Sequence, residues 1–207
     1  MNDVTVSKEN QELFLKSLRS KTAASHKQLE ENEYSKSILS PAVTLISYQT
    51  YIAKMYGVAM ACETEIFPVI KNIIPDLDLR YKASFIKNDL KNTGVASGLI
   101  ENIPVHHFTA SNAAQAMGIM YVLEGSTLGG KFLYKHINET LGFDAENGAS
   151  YFWGYGQQTG SLWKTFIAAM TDFAERENCG DEITSSASQT FATIAIWLDK
   201  AEIKLLK

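Results

Sequence analysis

One helix-length segment constrains the fold of this chain most, because it carries more glycine than a helix normally tolerates. Residues 111–140 show helical spacing, yet they include Gly118, Gly125, Gly129 and Gly130. Each glycine inside a helix costs roughly 1 kcal/mol relative to alanine. A helix that keeps all four must therefore use its bare backbone for close contact with another group.

Three of these glycines share one face of the predicted helix. Gly118, Gly125 and Gly129 are seven and then four residues apart, so they form one stripe, with Gly130 turned to one side. Two explanations stay open on spacing alone. Small residues let two helix backbones pack closely, and bare backbone also admits a wide, flat ligand while the glycines let the helix bend.

The rest of the pattern predicts an all-α fold. Apolar residues recur by threes and fours, and strand-type alternation is nearly absent. We predict one domain over residues 1–207, with residues 1–8 as a flexible N-terminal tail, folded as a multi-helix bundle. The other predicted helices cover residues 9–31, 41–71 (begun by Ser40-Pro41 and bent or ended near Pro68), 79–92 (capped by Asp78), 157–178 and 181–206, with loops at 94–107 and 142–156.

Charge and cysteine content narrow the class of protein. A net charge of −4 argues against a general nucleic-acid-binding surface. Cys62 and Cys179 have neither metal-site spacing nor the pattern of a disulfide framework. The polar N-terminus lacks a signal-peptide core, and no apolar run approaches the ~20 residues that span a bilayer. We expect a soluble, cytoplasmic protein with no nucleic-acid or membrane partner.

His26 is the candidate metal ligand. It lies on the apolar face of the first helix, with Thr22 four residues before it, Glu30 four residues after it and Arg19 seven residues before it. A ligating imidazole generally donates its other N–H to a carboxylate, carbonyl or water, and Glu30 could accept it. Arg19 could meet an anion at the rim of the same pocket. The alternative is a core histidine without a ligand role.

Three stretches of the chain resemble the heme oxygenases, in particular the bacterial enzymes that supply biliverdin to bacteriophytochromes. They are LRSKTAASHKQLE (residues 18–30), YVLEGSTLGG (residues 121–130) and FWGYGQQTGSLWKTF (residues 152–166). They extend from the first helix to the penultimate one. The resemblance implies a heme oxygenase-like bundle, with heme between a proximal helix and a kinked, glycine-rich distal helix.

The resemblance also implies a reaction and its partners. Heme, as both substrate and cofactor, would be opened to biliverdin, carbon monoxide and ferrous iron with O2 and electrons from a ferredoxin- or flavodoxin-type donor. A bacteriophytochrome would be a candidate acceptor of the biliverdin. His26 would ligate the iron, and Glu30 would orient its imidazole. The other implied site residues are Gly125, Ser126, Gly129 and Gly130 on the catalytic distal side, and Arg19, Thr22, Tyr121, Lys131, Lys164 and Phe166 as heme contacts.

One position departs from the mammalian-type pattern. Ser126 stands where that pattern has an aspartate that organises the distal water network. The proton-delivery group is therefore open among Ser126, Thr127, backbone carbonyls and water. The same departure keeps a second function in view, a protein of this fold that binds heme or biliverdin without turnover.

Other enzyme classes on such a bundle fit the sequence less well. A di-iron oxidase would need several carboxylates with Glu-x-x-His spacing, which the chain lacks. A thiaminase-type hydrolase would need a cysteine nucleophile, for which Cys62 is the candidate, although an inert core thiol is the ordinary reading.

The remaining polar and aromatic candidates have ordinary structural explanations. We expect Glu124 at the helix surface or pocket rim, His106 and His107 as a solvated pair, His136 at the pocket edge or in solvent, and Tyr155 in core packing. A basic cluster is predicted either as a solvated face or as a docking patch for an acidic electron donor; it comprises Arg80, Lys82, Lys87 and Lys91.

Overall fold

The computed structural model describes residues 8–205, and within that range the chain is helical with no strand beyond an isolated bridge between Asp144 and Gly148. The all-α prediction is confirmed. The helices are α1 (Lys8–Glu31), α2 (Glu33–Ile38), α3 (Leu45–Ala61), α4 (Phe67–Ile70), α5 (Ala83–Asn92), α6 (Ser97–Ile100), α7 (Ala113–Leu141), α8 (Ser150–Trp153), α9 (Thr159–Arg176) and α10 (Gly180–Lys200).

The centre of the fold is a stack in which α7 packs along α10 and α10 packs along α1. Gly118 of α7 lies at the α7–α10 contact. A Cβ added to Gly118 would lie 2.5 Å from the carbonyl oxygen of Ile183 and 2.6 Å from the Cβ of Ser186. Only glycine fits there, so close helix packing is the explanation for this member of the glycine stripe.

The predicted start at Ser40-Pro41 of the helix that corresponds to α3 is wrong. That segment forms a turn, and α3 begins at Leu45 after the N-cap Thr44. The Thr44 hydroxyl accepts the Ser47 N–H at 3.2 Å, while the Ser47 hydroxyl accepts the Thr44 N–H at 2.9 Å. This reciprocal capping box satisfies two otherwise unpaired backbone donors; it cannot form at Ser40, because Val43 occupies the position three residues later.

Between α3 and α5 the predicted helix end near residue 71 is confirmed, since α4 ends at Ile70, but the predicted cap and start of α5 are wrong. A π-helical segment, Cys62–Ile66, connects α3 to α4, and Pro68 lies in the first turn of α4, where its missing N–H costs nothing. Asp78 belongs to a 3-10 turn and does not cap α5, which begins at Ala83 rather than residue 79. Instead, the Glu63 carboxylate accepts the backbone N–H groups of Lys82 and Ala83 at 2.6 and 2.7 Å.

The other predicted boundaries hold to within a few residues. The two predicted loops contain the short helices α6 and α8, and α10 ends at Lys200 rather than residue 206. The predicted N-terminal tail lies outside the described residues except for Lys8, the first residue of α1. No helix of residues 8–205 is long and apolar enough to cross a membrane.

Candidate functional site

The helices enclose a partly open, mainly apolar cavity of about 720 Å³. Its lining comes from α1, α2, α3, α4, α7, α8, α9 and α10, with Met55, Val58 and Phe67 among the apolar side chains. The volume lies within the roughly 300–1,000 Å³ range of small-molecule and cofactor pockets. The first and the seventh helix, which carry the two strongest sequence motifs, both contribute to it.

The glycines of α7 divide between packing and cavity. A Cβ added to Gly129 would meet nothing within 4 Å, and one added to Gly125 would lie 3.6 Å from the Trp163 ring, an ordinary contact. At Gly130 the added Cβ would lie 2.9 Å from the Phe152 carbonyl oxygen, so this glycine lets α7 approach α8. Gly125 and Gly129 therefore present bare backbone to the cavity, whereas Gly118 and Gly130 serve close packing.

The imidazole of His26 faces the same cavity. Its side chain is 53% exposed, and its ring packs edge-on against Phe191 at 5.2 Å between centroids. The His26 Nδ1 atom lies 3.7 Å from the Glu30 Oε2 atom, beyond hydrogen-bond distance but within reach of a small rotation. His26 is thus not a buried core histidine, and its imidazole is accessible to a ligand.

Several other predicted site residues also line the cavity. Arg19 and Glu30 contribute from α1, and Tyr121 and Ser126 contribute from α7 beside the glycines. Burial raises the pKa of Tyr121, and the positive charge of Arg19 opposes that shift, which places the guanidinium near the phenol. The structure therefore brings together a cation, an imidazole and bare backbone around one apolar space.

Four predicted heme contacts do not line the cavity. Thr22 is buried, and its hydroxyl donates to the Leu18 carbonyl at 2.8 Å within α1. Phe166 is fully buried beneath the Arg80 guanidinium, and Lys131 and Lys164 are exposed outside the cavity. Their contact with heme stays a prediction.

The two α7 hydroxyls considered for proton delivery are already occupied. Ser126 donates to the Leu123 carbonyl at 2.7 Å, and Thr127 donates to the Glu124 carbonyl at 2.6 Å. Both bonds lie within the helix, as is common for serine and threonine in helix interiors. Neither hydroxyl proton is free for a ligand in this arrangement.

A buried charge cluster, missed in the sequence, lies at one end of the cavity. Glu124 is 3% exposed, so its predicted surface or rim position is wrong. Its Oε2 accepts from Arg80 Nη1, and its Oε1 accepts the Tyr155 hydroxyl at 2.6 Å. Arg80 is also buried, and it donates from Nε and Nη2 to Asp76 Oδ1 at 2.9 and 2.8 Å. The solvated face predicted for Arg80 is therefore wrong, because buried charges persist only when paired.

Lys82 belongs to the same end of the cavity rather than to a surface patch. Its Nζ is buried, has no hydrogen-bond partner within residues 8–205, and lies 3.1 Å from the centroid of the Tyr155 ring. Burial lowers the pKa of Lys82 to about 8, although the Glu124 carboxylate opposes that shift. Only Lys87, half-buried, and Lys91, exposed, remain of the predicted basic cluster on the outer side of α5.

One sequence signal could have located the charge cluster. Glu124 follows Met117 and Met120 at spacings of seven and four, so it falls on the buried face of α7. A carboxylate on such a face requires a cationic partner. The sequence offers no indication, however, that the partner is Arg80, 44 positions earlier.

The other polar candidates lie outside the cavity or are inert. His106 is buried against Phe108 and Trp197, so its predicted solvation is wrong, whereas His107 is exposed with its Nδ1 2.9 Å from Glu65 Oε1. The His136 Nε2 atom lies 3.1 Å from the Ser40 carbonyl oxygen.

Cys62 lines the cavity without the features of a reactive nucleophile. Its thiol lies 3.5 Å from the Met120 sulfur, and burial raises the pKa of Cys62 well above its usual range. Since the thiolate is the nucleophilic form, this environment suppresses its reactivity. Within residues 8–205, no three His, Cys, Asp or Glu side chains come together as a metal site; an iron held in a porphyrin needs only one protein ligand.

Solved structures share this fold. One is the heme oxygenase of Leptospira interrogans, 16% identical with a TM-score of 0.76, over 90% of this chain and 98% of that one. Another is the NO- and CO-bound heme oxygenase of Neisseria meningitidis, 22% identical with a TM-score of 0.72, over 91% of each chain. A third is heme oxygenase-1 of the cyanobacterium Synechocystis in complex with heme, 19% identical with a TM-score of 0.74, over 91% and 92%.

The sequence comparisons add the family. No curated protein matches the chain, and the structural likeness, at these identities, establishes the fold. The model of the heme oxygenase family, however, matches residues 12–200, nearly the whole chain. The protein therefore belongs to the heme oxygenase family and is a heme-binding, heme-degrading oxidoreductase.

Proposed function

We propose that this protein opens heme to biliverdin, carbon monoxide and ferrous iron, and that His26 would ligate the iron while α7 would form the glycine-bearing wall of the heme site. One observation carries the proposal: an apolar cavity of about 720 Å³ into which α1 presents an imidazole and α7 presents bare backbone at Gly125 and Gly129. The Synechocystis relative, solved in complex with heme, supports it.

The residues present fit a heme. Any side chain at Gly129 would fill part of the open space beside it. Bare backbone at this position therefore suits a wall pressed against a wide, flat ligand. When bound, heme supplies the redox chemistry, because its iron activates O2 and its own macrocycle is the substrate. The protein contributes binding, orientation and the control of water and protons.

His26 and Glu30 would act together on the proximal side. A neutral imidazole ligates through one nitrogen, and its other N–H needs an acceptor that fixes the ring. The Glu30 carboxylate, 3.7 Å from Nδ1 of His26, is placed to become that acceptor after a small rotation. Nε2 would then be the ligating atom.

Arg19 would hold the charged edge of the substrate. Heme carries two propionate carboxylates, and an arginine at the border of an apolar cavity matches them in charge and geometry. Arg19 is exposed on α1, two turns before His26, and it lines the cavity. It would thereby also fix which way the macrocycle is turned.

The electrons would come from a ferredoxin- or flavodoxin-type protein. The docking patch predicted on α5 keeps only Lys87 and Lys91, because Arg80 and Lys82 are turned inward. The donor is therefore proposed without a docking site. A bacteriophytochrome as biliverdin acceptor and a cytoplasmic location rest on the sequence resemblance and pattern alone.

The test is a heme turnover assay. The purified protein receives one equivalent of ferric heme, then a reductant and catalase in air, while the visible spectrum is recorded. We expect the Soret band to disappear and a broad far-red biliverdin absorption to grow. His26→Ala should abolish turnover, and added imidazole should restore ligation of the heme iron in this variant. His136→Ala, outside the cavity, should behave as wild type.

Two outcomes contradict the proposal in different ways. A Soret band that persists under reductant and oxygen would favour the alternative, a heme- or biliverdin-binding protein without turnover. If mixing gives no Soret shift, or if the Soret shift is the same in His26→Ala as in wild type, His26 does not ligate the iron.

A further inference from the structure

We propose that Lys82 is the hydrogen-bond donor and proton source of the cavity, held in place by Glu124, Arg80 and Tyr155. The inference rests on the proposed function and deepens it, since it supplies the group that Ser126 leaves missing at the aspartate position. It comes from a buried polar cluster in which one member alone lacks a partner.

The first step is the state of that cluster. Arg80 donates to Asp76 and to Glu124, and the second oxygen of Glu124 accepts the Tyr155 hydroxyl. These four side chains satisfy one another. Lys82, by contrast, has three N–H donors on a buried Nζ and no acceptor within residues 8–205.

The second step is where Lys82 can find an acceptor. Lys82 lines the cavity together with Glu63, Arg80 and Glu124. A buried ammonium without a hydrogen bond is unfavourable, and a rotation of the Lys82 side chain would bring its covered Nζ atom to a water or a ligand oxygen in the cavity. The cavity end that holds Lys82 is polar, whereas its walls along α3 are apolar.

The third step is why the ammonium stays there. The Lys82 backbone N–H donates to Glu63 Oε1 at 2.6 Å, which fixes the residue at the start of α5. Its Nζ lies over the face of the Tyr155 ring, a cation–π contact. Among the charged neighbours, Glu124 from α7 and Glu63 from the π-helical segment favour the ammonium, and Arg80 opposes it.

This environment suits proton exchange near neutral pH. Burial brings the pKa of Lys82 down to about 8, so both its charged and its neutral form are populated under ordinary conditions. Burial also raises the pKa of Tyr155, so the phenol keeps its proton. Burial likewise raises the pKa of Glu124, and the Arg80 guanidinium opposes that shift.

The proton balance is simple. A cavity water bonded to Nζ would give one of its protons to the oxygen cosubstrate once the external donor has reduced it, and would take the Nζ proton. In net, one N–H bond breaks and one O–H bond forms. The neutral amine then regains a proton from bulk water through the open side of the cavity. Ser126 and Thr127 do not offer this route, because their hydroxyl protons are bonded to helix carbonyls.

The first experiment observes Lys82 directly and needs no turnover. In protein labelled with 15N-lysine, the Nζ signal of Lys82 is assigned by its absence in Lys82→Met. We expect a titration midpoint near 8 in the ligand-free protein and a shift of that signal when gallium protoporphyrin IX, a redox-inert heme analogue, is added. A midpoint in the ordinary lysine range, about 10.4, with no shift on adding the analogue would overturn the inference.

The second experiment measures single turnover of bound heme against pH. Lys82→Met should still give a Soret band but form biliverdin slower by on the order of a hundredfold, the lower end of what a positioned general acid contributes. In wild type the rate should fall above pH 8, where Lys82 loses its proton, and this fall should vanish in Lys82→Met. Lys91→Met, on the exposed face of α5, is the matched control and should match wild type.

The outcomes separate the two proposals. If wild type neither binds nor degrades heme, the proposed function fails and the inference fails with it. If wild type degrades heme and Lys82→Met does so within twofold at every pH, only the inference fails. Should Lys82→Met not fold, Lys82→Arg decides. Its spectrum assigns the Nζ signal by absence, and it should also lose turnover, since arginine keeps the hydrogen bonds but cannot release a proton.

Discussion

Alanine substitutions along α7 should separate glycines that serve packing from glycines that serve the site. We predict opposite results for Gly118→Ala and Gly129→Ala. At Gly118 the added methyl would lie 2.5 Å from a backbone oxygen of α10, while at Gly129 it would meet nothing within 4 Å. The first change should harm the fold, and the second should harm the binding of heme.

The magnitudes follow from these contacts. Replacing glycine by alanine inside a helix stabilises it by about 1 kcal/mol where space allows, so the ligand-free Gly129→Ala protein should gain roughly that amount. This corresponds to about 2–4 °C in Tm for a chain of this size. At Gly118 the same gain is set against overpacking on rigid backbone, which costs about 1–3 kcal/mol, so a net loss of up to roughly 2 kcal/mol is expected.

The assay combines urea unfolding of the ligand-free protein with titration of ferric heme followed at the Soret band. Gly129→Ala should unfold at higher urea but bind heme more weakly and turn it over more slowly. Gly118→Ala should unfold at lower urea with heme affinity little changed. Gly160→Ala is the matched control, because this helical glycine has open space around it and lies outside the cavity.

Two results would refute the reasoning. Wild-type heme binding and turnover in Gly129→Ala would mean that bare backbone at this position has no role in the site. A gain in stability for Gly118→Ala would mean that α7 and α10 do not approach as closely as the structure indicates.

Three further predictions concern buried groups. Arg80→Met should lower the free energy of unfolding in urea by about 3–5 kcal/mol, because it leaves Glu124 buried without its partner. Adding Glu124→Leu should restore part of the loss. If the losses of the two single variants simply added in the double variant, the pairing would be contradicted. Burial lowers the pKa of His106, so the unfolded chain binds this proton more readily, and stability should fall as pH drops below about 6.5; His106→Gln should reduce that slope in urea unfolding at several pH values. Cys62 should react with iodoacetamide at pH 7 far more slowly than Cys179, as measured by mass spectrometry, because it is the more deeply buried thiol; equal rates would reopen the nucleophile hypothesis.

The helical content of the chain could be predicted from local spacing, but some helix boundaries could not. Periodicity depends on which residues face the core, and the spacing of apolar residues in the sequence shows that pattern. A helix start depends on which nearby group satisfies the first N–H donors. At α3 the acceptor is Thr44 rather than Ser40, and at α5 it is Glu63, from a different helical segment.

Some residues of the candidate site could be predicted from the sequence and others could not, for a related reason. His26, Glu30, Arg19 and the glycines lie within short motifs, so their spacing along a helix already shows which of them share a face. The cluster around Glu124 joins residues far apart in the chain, including Tyr155, which the sequence suggested only as a packing aromatic. No local pattern specifies such a contact.

The sequence by itself determined the all-α class, the helix that carries His26 and the presence of bare backbone on α7, because each depends on periodicity within one helix. Only the tertiary structure decided what each glycine contacts, since that depends on which helix passes over it: α10 at Gly118, α8 at Gly130, and the cavity at Gly129. Burial of Arg80 was likewise decided by packing, because a charge can leave water only where the fold supplies its partners, here Asp76 and Glu124.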